Sequence, residues 1–175
     1  MVDLKQEYLK EIEESDDQSF ISENKDVNTS KKKILPDLKR LPKLTLPGYT
    51  IFPSMRKINR MSIEQITNVK SFKISNQYGE IEYLEPVCLL DTNLDEIFEI
   101  KDGFVDIYKN KLFKPKPGEQ FNKKVKITLY NMLIPPSKDS TSYIQELQQK
   151  CNQYHSQFLN YDANTNTFSF ILEHI

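Results

Sequence analysis

Apolar residues recur at every second position in five stretches of this chain. Phe72 and Ile74 alternate with polar neighbours, and Glu80-Ile81-Glu82-Tyr83-Leu84-Glu85 resumes the pattern after a turn at Gln77-Tyr78-Gly79. A period of two places successive side chains on opposite faces, so these segments read as a hairpin that ends at Pro86. Gly103 introduces Phe104-Val105-Asp106-Ile107-Tyr108, a third strand. In Lys124-Val125-Lys126-Ile127-Thr128-Leu129-Tyr130 the apolar Val125, Ile127 and Leu129 face one way. The last strand carries Phe168, Phe170 and Leu172 after a polar turn over Asp162 to Asn166, residue types that bond their own backbone.

Between these segments the spacing lengthens. Tyr143, Ile144, Leu147, Cys151 and Tyr154 fall at three- and four-residue steps, which predicts a helix over Thr141 to Gln157. A shorter helical stretch opens at Phe52-Pro53-Ser54-Met55 and continues through Met61 to Ile66. Ser62 serves there as an N-cap, with Gln65 three residues on in the capping-box position. Ile63, Ile66 and Val69 are expected on one face. Leu94 to Phe98 reads as a turn of helix or a connector. Lys114-Pro115-Lys116-Pro117-Gly118 must be a loop, because its prolines fix φ and remove donors. Residues 1–45 read as a disordered charged tail in which Leu4 to Glu14 could form a helix, and residues 46–175 as the folded domain.

Composition narrows the class. With 175 residues, 38% hydrophobic and 28% charged, the chain is long enough for one real core. It has no apolar run near the roughly 20 residues that span a bilayer, so no membrane partner is expected. Cys88 and Cys151 form no metal spacing or disulfide framework, and the two histidines, His155 and His174, have no second ligand in a recognised spacing. Neither a metal nor a cofactor is expected. Charge is segregated: residues 1–30 hold nine acids against three lysines (−6), and residues 31–60 hold nine bases against Asp37 (+8). The basic run could contact nucleic acid, but aromatics are not interleaved with it, and a solvated linker is the simpler reading.

The chain's ending resembles the C-terminal autoproteolytic domain of the GLFG nucleoporins. The matching motifs, in order, are Pro53-Ser54-Met55, Tyr78-Gly79-Glu80-Ile81, Glu85-Pro86-Val87, and Pro117-Gly118-Glu119 with Asn122. They continue with Ile127-Thr128-Leu129-Tyr130-Asn131, Tyr161-Asp162 and His174. Departures fall at Ser75-Asn76-Gln77, where the family has more glycine, and at Cys88, where aspartate is common. Others are Gln120-Phe121 in the loop and Phe168 in a usual tryptophan position. The resemblance implies an α+β fold with a β-sandwich-like core: a six-stranded sheet packed on a smaller one and flanked by helices. Periodicity alone would not have found that arrangement.

In the family a histidine aids a serine that attacks the preceding carbonyl, and the resulting ester hydrolyses. Here His174 takes the histidine position, Ile175 replaces the usual Phe, and no serine follows in the sequence. Two histories fit. Ile175 could be the end of a non-cleaving relative, in which His174 is vestigial, or the end left when an autoproteolysing nucleoporin loses its serine-bearing part. The first makes the chain a non-enzymatic targeting domain at the nuclear pore complex. The resemblance then implies docking on a β-propeller nucleoporin of the cytoplasmic-face subcomplex, through a lysine-bearing loop and a hydrophobic groove. The loop from Lys109 to Lys116 is the counterpart, with Lys111, Lys114 and Lys116 as candidate contacts. No small-molecule substrate is expected, and the domain alone should be a monomer. The chain has no FG repeats, so the permeability meshwork is not expected of it.

Overall fold

The structure, a computed structural model, describes residues 41–109 and 114–175. The helix expected over Leu4 to Glu14, the basic run before Leu41, and Lys111 lie outside the described residues. Six strands form one antiparallel sheet in the order β1-β2-β3-β6-β8-β7. They are β1 (Thr50–Phe52), β2 (Lys73–Asn76), β3 (Gly79–Tyr83), β6 (Val125–Leu129), β7 (Gln157–Asp162) and β8 (Thr167–Leu172). A two-stranded sheet joins β4 (Phe98–Lys101) to β5 (Phe104–Ile107). Four helices occur among the described residues: α1 (Met55–Ile58), α2 (Ile63–Ile66), α3 (Leu94–Ile97) and α4 (Ser140–Gln153). The expected α+β architecture is thus observed.

Register turns the period of two into a core. Ile51, Ile74, Ile81, Ile127, Phe170 and Phe158 are cross-strand partners in one row across all six strands. The adjacent row is Thr50, Ser75, Glu80, Thr128, Ser169 and Asn160, which faces the other way. On that polar face Lys73 reaches Glu80 at 3.1 Å and Glu82 at 3.3 Å, so the two glutamates form a half-exposed charge ladder. Over the inner face Phe72, Tyr83, Phe98 and Phe121 make one aromatic cluster. The Phe98 and Phe121 rings meet edge-on at 5.3 Å, as do those of Tyr83 and Phe121 at 5.4 Å. All four are buried, and burying each such side chain stabilises the fold by about 1.5–3 kcal/mol. Phe98 belongs to β4, so this cluster ties the small sheet to the large one. Asn76 Nδ2 adds a hydrogen bond to the Ile100 carbonyl at 2.8 Å.

The helices follow their capping signals more closely than their apolar spacing. Ser62 and Gln65 form the expected capping box, yet Ile63 is 42% exposed while Ile66 and Val69 are buried. The three do not share a face, because α2 ends at Ile66 and the chain has already turned by Val69. Phe52 ends β1 rather than opening a helix, since α1 starts at Met55 after Pro53. The long helix ends at Gln153, four residues before the expected end. His155 adopts a left-handed φ of 51°, the Ser156 N–H returns to the Cys151 carbonyl at 2.9 Å, and Gln157 begins the edge strand β7. Before β1 the chain is held from Lys43 onward. The Lys43 N–H donates to the Thr92 carbonyl at 2.8 Å, and the Thr45 N–H to Asp95 at 2.8 Å. Lys43 and Thr45, read from sequence as the end of the tail, are therefore bonded to the sheet domain.

Candidate functional site

The end of the chain and the lysine loop meet at one buried amide. Asn122 is 1% exposed and is the buried polar residue of the core among the described residues. Its Oδ1 accepts from the Ile175 N–H at 2.7 Å, and its Nδ2 donates to the Pro115 carbonyl at 2.8 Å. Pro115 lies between Lys114 and Lys116, so the same side chain holds both the terminal peptide and the base of the loop. The turn after Pro115 is closed by its own backbone. Gly118 N–H donates to the Asn122 carbonyl at 2.7 Å, Asn122 N–H to the Glu119 carbonyl at 2.8 Å, and Glu119 N–H to the Lys116 carbonyl at 3.0 Å. Gly118 sits at φ 87°, a conformation that favours glycine.

Phe121 fixes this turn to the core. Its ring is buried in the aromatic cluster, its carbonyl accepts from Tyr83 Oη at 3.0 Å, and its N–H donates to Tyr108 Oη at 3.1 Å. Burial pushes the Tyr83 hydroxyl well above the usual tyrosine range and also raises that of Tyr108. Both therefore stay neutral at physiological pH. On the outside, Lys123 Nζ donates to the Pro86 carbonyl at 2.6 Å, and Lys124 pairs with Glu173 at 2.8 Å.

Beside this anchor opens a cavity of about 780 Å³, lined by Cys88, Leu90, Asp91, Asn93, Glu96, Tyr108, Lys109, Gln120 and Phe121 among others. Three of these, Asp91, Tyr108 and Gln120, take positive φ of 55°, 65° and 47°. Left-handed backbone at non-glycine residues costs energy and concentrates where geometry is over-determined. Asp95 closes one wall. It accepts from the Thr45 and Leu46 N–H groups and from Thr45 Oγ1, and Lys109 Nζ donates to its backbone carbonyl at 3.1 Å. Burial alone would raise the Asp95 carboxyl, but the hydrogen bonds from Thr45 and Leu46 and the nearby Lys43 charge hold it below the ordinary carboxylate value.

Lys114 and Lys116 are exposed on the loop. The His174 side chain is also exposed and has no hydrogen-bond partner among the described residues, while Ile175 is half-buried against the core. His155 is exposed, and Cys88 and Cys151 are free thiols. The roles of Asn122, Tyr83 and Tyr108 escaped the sequence reading. Asn122 stood out only as a motif position, and nothing local shows that two tyrosine hydroxyls converge on the backbone of Phe121.

The six-stranded antiparallel sheet with its two-stranded companion and flanking helices is the fold of the nucleoporin autopeptidase-type domains. The profile of the Nup98-96 autopeptidase family matches residues 46–175, and the chain belongs to that family. It is 31% identical over 143 residues to nucleoporin NUP116/NSP116 of Saccharomyces cerevisiae, covering 73% of this chain and 13% of that protein. With nucleoporin NUP100/NSP100 of the same yeast the identity is 29% over 142 residues, covering 73% and 15%. The chain thus spans a small part of the length of these relatives. They are nucleoporins, in keeping with the nuclear pore location expected from the sequence.

Solved structures agree. One is a chain in the yeast heterotrimeric Nup82-Nup159-Nup116 nucleoporin complex, with a TM-score of 0.65 at 29% identity, covering 74% of this chain and 98% of that one. Another is the C-terminal domain of NUP116 from Candida glabrata, with a TM-score of 0.62 at 26% identity, covering 75% and 93%. A third is described as the yeast nuclear pore targeting domain of NUP116P, with a TM-score of 0.56 at 28% identity, covering 73% and 94%.

Proposed function

We propose that residues 46–175 act as a non-catalytic anchoring domain of the nuclear pore complex, docking on a β-propeller nucleoporin of the cytoplasmic-face subcomplex, with residues 1–45 as a charged tail. The observation that carries this reading is the clamped lysine loop. Lys114 and Lys116 are exposed, while the Pro115 between them is held by buried Asn122. A segment held before binding, as Lys114-Pro115-Lys116 is through Pro115, loses less conformational entropy on docking. A lysine entering an acidic pocket of the partner then contributes through a desolvated charge pair. Lys114 and Lys116 are assigned this role together with Lys111. Support for the setting comes from the similar chain solved within the Nup82-Nup159-Nup116 complex and from the similar targeting domain of NUP116P.

The non-catalytic half of the reading draws its support from the similar domain described as a nuclear pore targeting domain. The test is a calorimetric titration of the full chain against the propeller nucleoporin, alongside Lys114→Ala/Lys116→Ala. Saturable binding weakened at least about tenfold by the double substitution is expected. Binding that ignores it would move the docking surface elsewhere, and no binding would overturn the anchor.

A further inference from the structure

A second cavity, of about 520 Å³, lies where edge strand β1 runs into α1, and it shares no lining residue with the cavity beside the lysine loop. Its apolar lining includes Phe52, Met61 and Val69, and its charged lining is Lys57, Arg60 and Lys70. No carboxylate lines it. Elsewhere six lysines pair with carboxylates: Lys43 with Asp95, Lys73 with Glu80 and Glu82, Lys101 with Glu99, Lys124 with Glu173, and Lys138 and Lys150 with Glu146. Among the described residues, Arg60 and Lys70 have no carboxylate partner, and Lys57 lies over the Phe52 ring, 6.0 Å from its centroid. The stretch from Arg56 to Lys70 carries four cations against the single acid Glu64. The Phe52 ring, 53% exposed, lies beside them. Ser71, also in the lining, holds a left-handed φ of 55°, one of the positions where strain is stored.

We propose that this groove docks an acidic linear peptide that places one aromatic or aliphatic side chain among Phe52, Met61 and Val69 while its carboxylates meet Arg60, Lys57 and Lys70. Charge complementarity selects the sign of the occupant, and guanidinium forks suit carboxylates because they bond them in pairs. The apolar lining selects a peptide over a nucleic acid. Single strands need successive aromatic platforms for their bases, and here a single aromatic ring, Phe52, lines the groove. The surface is separate from the lysine loop, so a chain anchored through that loop could hold a second, acidic partner.

The probe is the hexapeptide Asp-Glu-Asp-Phe-Asp-Glu, titrated into the ¹⁵N-labelled full chain and followed by amide chemical shifts. Its counterpart with alanine for phenylalanine and an oligouridylate are run in parallel. Saturable shifts confined to residues 52–71 are expected. They should weaken at least about tenfold in Lys57→Glu/Arg60→Glu and several-fold with the alanine peptide. Both substituted positions are exposed, so the variant keeps the fold, which its own spectrum verifies. No shifts in this segment up to millimolar peptide would overturn the proposal. Equal binding of the two peptides, or tighter binding of oligouridylate at the same residues, would overturn it as well.

Discussion

Asn122 Oδ1 accepts the Ile175 N–H at 2.7 Å while the same amide's Nδ2 donates to the Pro115 carbonyl at 2.8 Å. A residue 53 positions before the chain's end thus fixes both that end and the Lys114-Pro115-Lys116 stretch of the loop. Replacing Asn122 by alanine takes the partner from the part-buried Ile175 N–H and from the part-buried Pro115 carbonyl, at a cost of about 1–3 kcal/mol. Urea unfolding should show that loss, and amide exchange should quicken around residues 116–119 and at Ile175. Quickening at only one of these places would mean that the asparagine does not join them.

Gly79 is fixed by contact rather than by φ. A Cβ built there would lie 2.6 Å from the Thr128 carbonyl oxygen, on the neighbouring strand β6, and 3.4 Å from the Ile100 side chain. The obstacle is backbone in the middle of the sheet and cannot swing away. Gly79→Ala should therefore destabilise the domain by about 1–3 kcal/mol. Gly48, whose added Cβ would meet nothing within 4 Å, offers more room but sits at φ 78°. An alanine there tests conformational strain separately from crowding.

Asp95 gives stability a dependence on acid. Its native carboxyl is held below the ordinary value of 3.8 by the Thr45 and Leu46 N–H groups and Lys43, against the opposing effect of burial. The unfolded chain therefore takes up this proton more readily than the folded one. The stabilisation is full above the ordinary value and lost as pH falls through the lowered native one. Asp95→Asn should flatten the acid limb of the stability curve below about pH 4 while lowering stability at neutral pH. Denaturation midpoints across that range check it. Acid limbs of equal slope in the two proteins would show that Asp95 does not carry the effect.

Much of the sheet was legible because one of its faces is apolar. Val125, Ile127 and Leu129 alternate with polar neighbours and are all buried, and of the expected Gln77-Tyr78-Gly79 turn Gln77 and Tyr78 form the turn while Gly79 opens β3. Strand β7 was not legible. Its residues Gln157 to Tyr161 follow a helical apolar spacing that runs past Cys151, and only the left-handed turn at His155 breaks the helix. Three-residue β1 and four-residue β4 are too short to show a period. The site divided in the same way. Lysines on a proline-rich loop are visible as residue types, and His174 as a motif position. The clamp at Asn122 and the hydrogen bonds of Tyr83 and Tyr108 to Phe121 join positions far apart in sequence, which local patterning cannot reveal.

The central claim is that this domain docks through the loop held by Asn122. The most direct measurement is amide hydrogen exchange on the full chain, alone and saturated with the β-propeller nucleoporin. Docking through that loop predicts slowed exchange over residues 114–122, with little change along the edge strand β7. Protection that leaves residues 114–122 untouched, or no protection anywhere, would contradict it.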